Sequence, residues 1–242
     1  MAAEKIALVT GANKGIGYEV ARQLGEHGIT VLVGARDEAR GQQAADSLAS
    51  GEITTAPLLI DVADPASVAA AAAEIERRYG RLDILVNNAG IAGRFTGASS
   101  EATAADLREV YETNVFGVVS VTGAMLPLLR RSPAGRVVNL TSHLGSLTLN
   151  SDPESMMARV QMIAYQSSKT ALNALTVAYA KELRGTAVKV NAANPGIVAT
   201  DINGHRGQRT PAEGARIVVR LALLEACGPS GACLSDEGTV PW

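Results

Sequence analysis

From residue 6 onward, short apolar runs alternate with amphipathic helical stretches through nearly the whole chain. Strand-type runs fall at 6–10, 30–34, 54–60, 82–86, 136–141 and 186–192. Helical spacing falls at 16–27, 37–50, 65–79, 104–130, 163–183 and 211–224, with a short last strand at 231–234. Strands separated by helices predict βαβ units. Such units build a parallel sheet covered by helices on both faces. No repeat or long linker interrupts the pattern, so residues 1–242 read as one doubly wound α/β domain. Two stretches break the rhythm, 143–162 and 197–210. Both follow the carboxyl end of a strand, where open α/β sheets bind their ligands.

The first strand runs into Thr10-Gly11-Ala12-Asn13-Lys14-Gly15-Ile16-Gly17. Residues without a Cβ allow so tight a turn and let the backbone approach a pyrophosphate. The helix that opens near Gly15 aims free N–H groups and its positive dipole end at the same place. A glycine turn by itself is a weak signal; one placed between the first strand and the first helix is stronger. At the end of the second strand, Ala35 stands where an NAD-binding fold carries its ribose acid, and Arg36 follows it. Arg36 with Lys14 suits a ribose 2′-phosphate, which makes NADP(H) the expected cofactor. The rival assignment makes Asp37 the ribose acid and NAD the cofactor. Asp61 and Val62, after the third strand, suit the amino group and ring face of an adenine; the plainer reading of Asp61 is a turn cap. Asn87-Asn88-Ala89-Gly90, after the fourth strand, offers small residues and amides for close contact with a cofactor and for tying strands together.

Tyr165 and Lys169 lie four apart in a helical stretch, so both face one side. A tyrosine hydroxyl titrates near pH 10 in isolation, with a pKa of about 10. A neighbouring ammonium favours its ionised form and fits it for proton transfer to or from a carbonyl or alcohol oxygen. Ser142, ending the fifth strand, is placed to orient that oxygen. Asn114, an asparagine inside a helix, is a candidate to hold a water that links Lys169 to solvent. Each signal also has a plain structural reading, and Tyr-x-x-x-Lys recurs by chance.

Taken jointly, Thr10–Gly17, Asp61, Asn87–Gly90, Asn114, Ser142, Tyr165/Lys169 and Pro195-Gly196 closely resemble the short-chain dehydrogenase/reductase family, in its order and over most of the chain. The glycine turn and Ala35-Arg36-Asp37 look like the NADPH-dependent carbonyl reductase branch. The resemblance implies a Rossmann-type sheet of order 3-2-1-4-5-6-7. It also implies hydride transfer at a nicotinamide, with Asn114, Ser142, Tyr165 and Lys169 as the catalytic set. Gly11, Asn13, Lys14, Gly15, Ile16, Gly17, Arg36, Asp61, Val62, Asn87, Ala89, Gly90, Tyr165 and Lys169 are then expected at the cofactor, together with Pro195, Gly196, Val198 and Thr200 near its carboxamide. The expected reaction interconverts a ketone or aldehyde and an alcohol. The alternatives are an NADPH sensor without turnover, or a relative that reduces C=C bonds or epimerises.

The stretch between Ser142 and Tyr165 exceeds the family's usual spacing. Asp152-Pro153-Glu154 reads as a helix start there, followed by 155–163. Leu144, Leu147, Met156, Met157 and Met162 suggest an apolar pocket wall and a small apolar substrate, and His143 is a further candidate contact. Gly204, Gly207 and Arg209 suggest a mobile loop. An insertion of this kind leaves both a homo-oligomer and a monomer open. Hydrophobic residues make up 47% and charged residues 19%, with a formal net charge of -2. This balance suits a globular chain and gives no footing for nucleic acid or an anionic membrane. No His/Cys/Asp grouping has metal-site spacing, and no nucleophile–histidine pairing suggests a hydrolase. Cys227 and Cys233 read as two reduced, half-buried thiols near the last strand. The first five residues lack a signal-peptide pattern, and the expected location is the cytoplasm.

Overall fold

Eight strands form a single sheet in the order β3-β2-β1-β4-β5-β6-β7-β8. They are β1 (Ile6–Thr10), β2 (Thr30–Ala35), β3 (Thr55–Leu59), β4 (Ile84–Asn87), β5 (Arg136–Leu140), β6 (Lys189–Ala193), β7 (Cys233–Ser235) and β8 (Gly238–Thr239). All neighbours pair in parallel except β7 and β8. The computed structural model describes residues 5–51 and 53–242. The expectation about the first residues of the chain therefore falls almost wholly outside the described residues.

The helices are α1 (Gly15–Glu26), α2 (Glu38–Ala49), α3 (Pro65–Tyr79), α4 (Ala104–Tyr111), α5 (Gly117–Leu129), α6 (Leu147–Ser151), α7 (Ile163–Glu182) and α8 (Pro211–Ala222). Their ends follow from local chemistry. Asp64 caps α3 by accepting from Ala66 N–H, Pro65 opens its first turn, and Gly80 closes it at φ 70°. Thr210 and Glu213 form a reciprocal capping box on α8.

Because side chains alternate across a strand, the central strands feed two cores. Val9 and Val33 pack with Val20, Leu24, Ile217 and Leu221 on one face. Leu8 and Leu32 pack with Ile75, Leu85, Met125 and Leu129 on the other. This is why the strand sequences are continuously apolar rather than alternating. Among the described residues, Ala104–Leu129 is the one helical stretch long and apolar enough by composition to cross a membrane. Here Val121, Met125, Leu128 and Leu129 are buried in the second core.

Three readings of the sequence change. The helix expected at 104–130 is interrupted by a π turn at Glu112–Phe116, which separates α4 from α5. The helical turn of the insertion comes before Asp152-Pro153, not after it. Ser146 caps α6 through Leu149 N–H at 3.1 Å, α6 ends ahead of Pro153, and Met156–Arg159 forms only a 3₁₀ turn. The insertion is clasped by the end of the chain: the Trp242 carbonyl accepts from Thr148 N–H at 3.0 Å and from Thr148 Oγ1 at 2.7 Å. The two thiols also differ, since Cys227 is exposed and Cys233 is buried in β7.

Candidate active site

The glycine turn joins β1 to α1 at the carboxyl edge of the sheet. Gly11 and Gly15 sit at φ 64° and 60°, in the left-handed region that glycine occupies at no steric cost. Gly17 is needed for a different reason: a Cβ there would lie 2.4 Å from Asn88 Nδ2 and 2.6 Å from the Gly11 carbonyl oxygen. Asn88 Nδ2 donates to the carbonyls of Thr10 at 2.8 Å and Gly11 at 3.1 Å, and Thr10 Oγ1 accepts from the N–H groups of Asn88 and Ala89. The turn is thus held by the strand beside it. Lys14 stands at the N-cap of α1 and gives it no side-chain cap. The N-termini of α2, α3, α4 and α8 are each capped, by Asp37, Asp64, Thr103 and Thr210.

At the end of β2, Arg36 is exposed and makes no ion pair among the described residues. Asp37 is engaged as the N-cap of α2, accepting from Arg40 N–H at 2.9 Å. Lys14 points elsewhere, to Asp201 at 2.5 Å. Asp61 behaves as the plainer reading foresaw: its Oδ1 accepts from Ala63 N–H at 3.0 Å. Val62 is buried, and a Cβ on Gly117 would touch it at 3.0 Å. Asn87 does the tying of strands that the sequence suggests. Its side chain is buried and donates to Thr122 Oγ1 at 3.1 Å and Asn139 Oδ1 at 2.8 Å, tying β4 to α5 and β5.

On α7, Lys169 is buried and its Nζ donates to the Leu140 carbonyl at 2.7 Å, at the end of β5. That Nζ also lies 5.5 Å from the centre of the Tyr165 ring. Ser142 lies close enough to the Tyr165 hydroxyl to act on its ionisation. Burial pushes the phenol up to about 12, with Ser142 pulling the other way. Burial lowers the Lys169 ammonium to about 8. Gly90 brings bare backbone to this cluster: a Cβ there would sit 3.3 Å from Asn114 Oδ1 and 3.7 Å from Lys169 Nζ.

Asn114 lies in the π turn, and its amide is already spent. Oδ1 accepts from Ile91 N–H at 2.9 Å, while Nδ2 donates to the Ile91 carbonyl at 2.9 Å and to Ser168 Oγ at 3.0 Å. The side chain therefore positions the loop after β4 against α7. A π turn inside a helix commonly marks such a functional place.

After β6, Pro195-Gly196 is followed by a loop that is strapped, not free. Arg209 donates to the carbonyls of Pro195 at 2.9 Å and Glu213 at 2.8 Å and pairs with Asp236. Its trace in the sequence, one arginine near two glycines, does not distinguish a strap from a solvated charge. Val198 is buried, with its carbonyl accepting from Asn203 Nδ2 at 2.9 Å. The Thr200 methyl faces the glycine turn, 3.7 Å from where a Gly15 Cβ would stand. A cleft of about 200 Å³ is lined by residues that include His143, the neighbour of Ser142 in sequence, with Met157, Ile197, Gln208, Arg209, Asp236 and Glu237. Of the five apolar residues expected at the pocket, Met157 lines this cleft, and Leu147 and Met156 are 65% and 68% exposed.

A doubly wound parallel sheet with a glycine turn opening an uncapped helix, and a Ser–Tyr–Lys cluster two strands along the same sheet edge, defines a class: single-domain oxidoreductases built on the Rossmann fold. The family model of the short chain dehydrogenases matches residues 5–211. The chain belongs to the short-chain dehydrogenase/reductase family. It is 39% identical to a short-chain dehydrogenase of Penicillium roqueforti, over 97% of this chain and 95% of the other. It is 33% identical to an NADPH carbonyl reductase of Bos taurus, over 98% of each. The solved structure of an NADPH-bound carbonyl reductase from chicken fatty liver superposes with a TM-score of 0.86, at 31% identity and 99% coverage of both chains.

Proposed function

We propose that this chain is an NADP(H)-dependent reductase that interconverts a ketone or aldehyde and an alcohol, with Tyr165 as the acid/base. The observation that carries the reading is the buried Lys169 whose Nζ lies 5.5 Å from the centre of the Tyr165 ring, with Ser142 near the Tyr165 hydroxyl. The likeness to the bovine and chicken carbonyl reductases supports both the chemistry and the cofactor.

The residues fit a dinucleotide. α1 has no side-chain cap, and its first N–H groups open on the glycine turn. Gly11, Asn13, Gly15, Ile16 and Gly17 would hold the pyrophosphate there. Arg36 has no competing ion pair among the described residues and would take a 2′-phosphate, with Lys14 joining it on release from Asp201. Asp37 is already used as a cap, which weakens the NAD assignment. Asp61, Val62 and Ala89 would flank the adenine end. Gly90, Lys169, Pro195, Gly196, Thr200 and the N–H of Val198 would face the nicotinamide end. Asn87 contributes through the strand it fixes.

A bound nicotinamide supplies the hydride. The chain's own groups manage the oxygen and the proton. Ser142 orients the substrate oxygen by hydrogen bonding. Tyr165 holds its proton in the free chain and delivers it to that oxygen as charge develops there. Lys169 sets the field in which the phenolate forms, and the Leu140 carbonyl fixes the ammonium in place. Asn114 is a positioning residue that holds the loop after β4.

The test is oxidation of NADPH at 340 nm with a panel of ketones and aldehydes, for the wild type and Tyr165→Phe. Loss of about 10²–10⁴-fold in kcat with cofactor binding retained is expected. Turnover of Tyr165→Phe near the wild-type rate would sink the reading. Tight NADPH binding with no turnover of any carbonyl would favour a sensor.

A further inference from the structure

The cleft at His143 carries an electrostatic sign that the chemistry of carbonyl reduction does not need. Four of its residues are ionisable: His143, Arg209, Asp236 and Glu237. They come from the segment after β5, the strapped loop after β6, and the β7–β8 turn. Arg209 and Asp236 pair with one another, so their charges offset. Arg209 is also bound to the carbonyls of Pro195 and Glu213, which leaves its guanidinium fixed in the wall. His143 is half-buried, and burial lowers its pKa, which keeps it neutral near pH 7. Glu237 is the exception. Its backbone N–H is tied to Ser235 Oγ at 3.2 Å, but its carboxylate has no ion-pair partner among the described residues and lies near enough to His143 to act on it electrostatically. Arg220 reaches the same turn, donating to the Ser235 carbonyl at 2.6 Å, but does not line the cleft. One negative charge with no ion-pair partner among the described residues therefore lines a cleft whose wall at His143 adjoins Ser142 in sequence, with Met157 and Ile197 as the apolar surfaces across which a carbon skeleton would lie.

We infer that Glu237 is a specificity-determining residue that selects carbonyl substrates bearing a cationic group, such as a protonated amine, over neutral and anionic ones. The inference rests on the carbonyl-reductase reading of the site. Because Glu237 is exposed, its charge is hydrated and screened, so the preference is a modest one that salt weakens.

The experiment compares acetophenone, 4-(aminomethyl)acetophenone and 4-acetylbenzoate in the wild type, Glu237→Gln and Glu237→Lys. At low salt the wild type is expected to favour the aminomethyl ketone over acetophenone by about 3- to 10-fold in kcat/KM and to disfavour the benzoate by a similar factor. Glu237→Gln should bring the three together, and Glu237→Lys should reverse the order. Acetophenone itself should change by less than about 2-fold, since Glu237 touches none of the reacting groups. Binding of benzylammonium and benzoate to the chain, measured calorimetrically, gives a readout free of turnover and should show the same order. Equal kcat/KM for the three ketones in the wild type, or an order that survives Glu237→Lys, overturns the inference. Failure to reduce any ketone, with the ligand preference intact, overturns the carbonyl reading instead and leaves the charge selection standing.

Discussion

Lys14 in the glycine turn and Asp201 in the loop after β6 form an ion pair at 2.5 Å, joining positions 187 residues apart. The pair spans the crevice between the first strand-end and the segment that follows Pro195-Gly196. It also diverts the cation that the sequence assigns to a 2′-phosphate. Asp201 is held on its other side by His205 at 2.8 Å. Its carboxyl lies below the usual range because Lys14 hydrogen-bonds to it first and His205 adds to the effect.

A cofactor carrying phosphates competes with Asp201 for Lys14. Replacing Asp201 with Ala removes the competitor and an anion from the crevice. NADPH should then bind about 2- to 5-fold more tightly, a factor typical of exposed pairs. Fluorescence titration of the reduced cofactor reads this directly, and weaker binding would show that the pair closes the crevice over the cofactor instead. Arg36→Ala should act in the opposite sense, weakening NADPH about 10-fold or more while leaving NADH within about 2-fold.

The buried ammonium makes the reaction sensitive to alkali. Lys169 sits at about 8, below its ordinary value of 10.5, because burial disfavours its charge. Its charge is complete below about pH 7 and is lost as pH rises through 8. In the reducing direction kcat/KM should therefore fall above an apparent pKa of about 8, approaching tenfold per pH unit. Stability moves the other way. Between 8 and 10.5 the unfolded chain binds the extra proton, so folding stability gains with rising pH. Melting curves of the wild type against Lys169→Met, which lacks this titration, should separate in that window, the wild type gaining relative to the variant. A constant difference across the window would contradict the assignment.

Asn87 acts through the sheet. Removing its side chain leaves Asn139 Oδ1 and Thr122 Oγ1 without a donor in a buried place. Asn87→Ala should cost about 1–3 kcal/mol of stability. A lowered Tm with NADPH affinity changed by less than about 3-fold is the expected result. A large loss of affinity at unchanged Tm would restore Asn87 to the cofactor.

Asn114→Ala separates positioning from proton relay. It breaks three bonds that fix the loop after β4 to α7. Loosening of that loop should speed hydrogen exchange at Ile91 and raise the KM for cofactor along with lowering kcat. A fall in kcat at unchanged KM and unchanged exchange would point to a relay role instead.

The alternation of apolar strands and amphipathic helices already contained the sheet, because strands buried on both faces must be apolar at every position. The glycine turn was equally legible, since the left-handed backbone at Gly11 and Gly15 and the close approach at Gly17 leave few other residue types possible. The four-residue step from Tyr165 to Lys169 gave their shared face, because that step is a property of the helix itself. What the sequence could not contain was how polar groups distant along the chain divide their hydrogen bonds. Asn87 and Asn114 look available in the sequence and are spent in the fold. Arg209 looks like a loose charge and is a strap, and Lys14 looks free and is paired. The cleft shows the same limit: of the methionines nearest Ser142 in sequence Met157 lines it, and Glu237, 95 positions on from Ser142, joins it through the β7–β8 turn. Helix and strand periods are local and survive in one dimension. Hydrogen-bond partners and charge balance are set by which chain segments tertiary packing brings together.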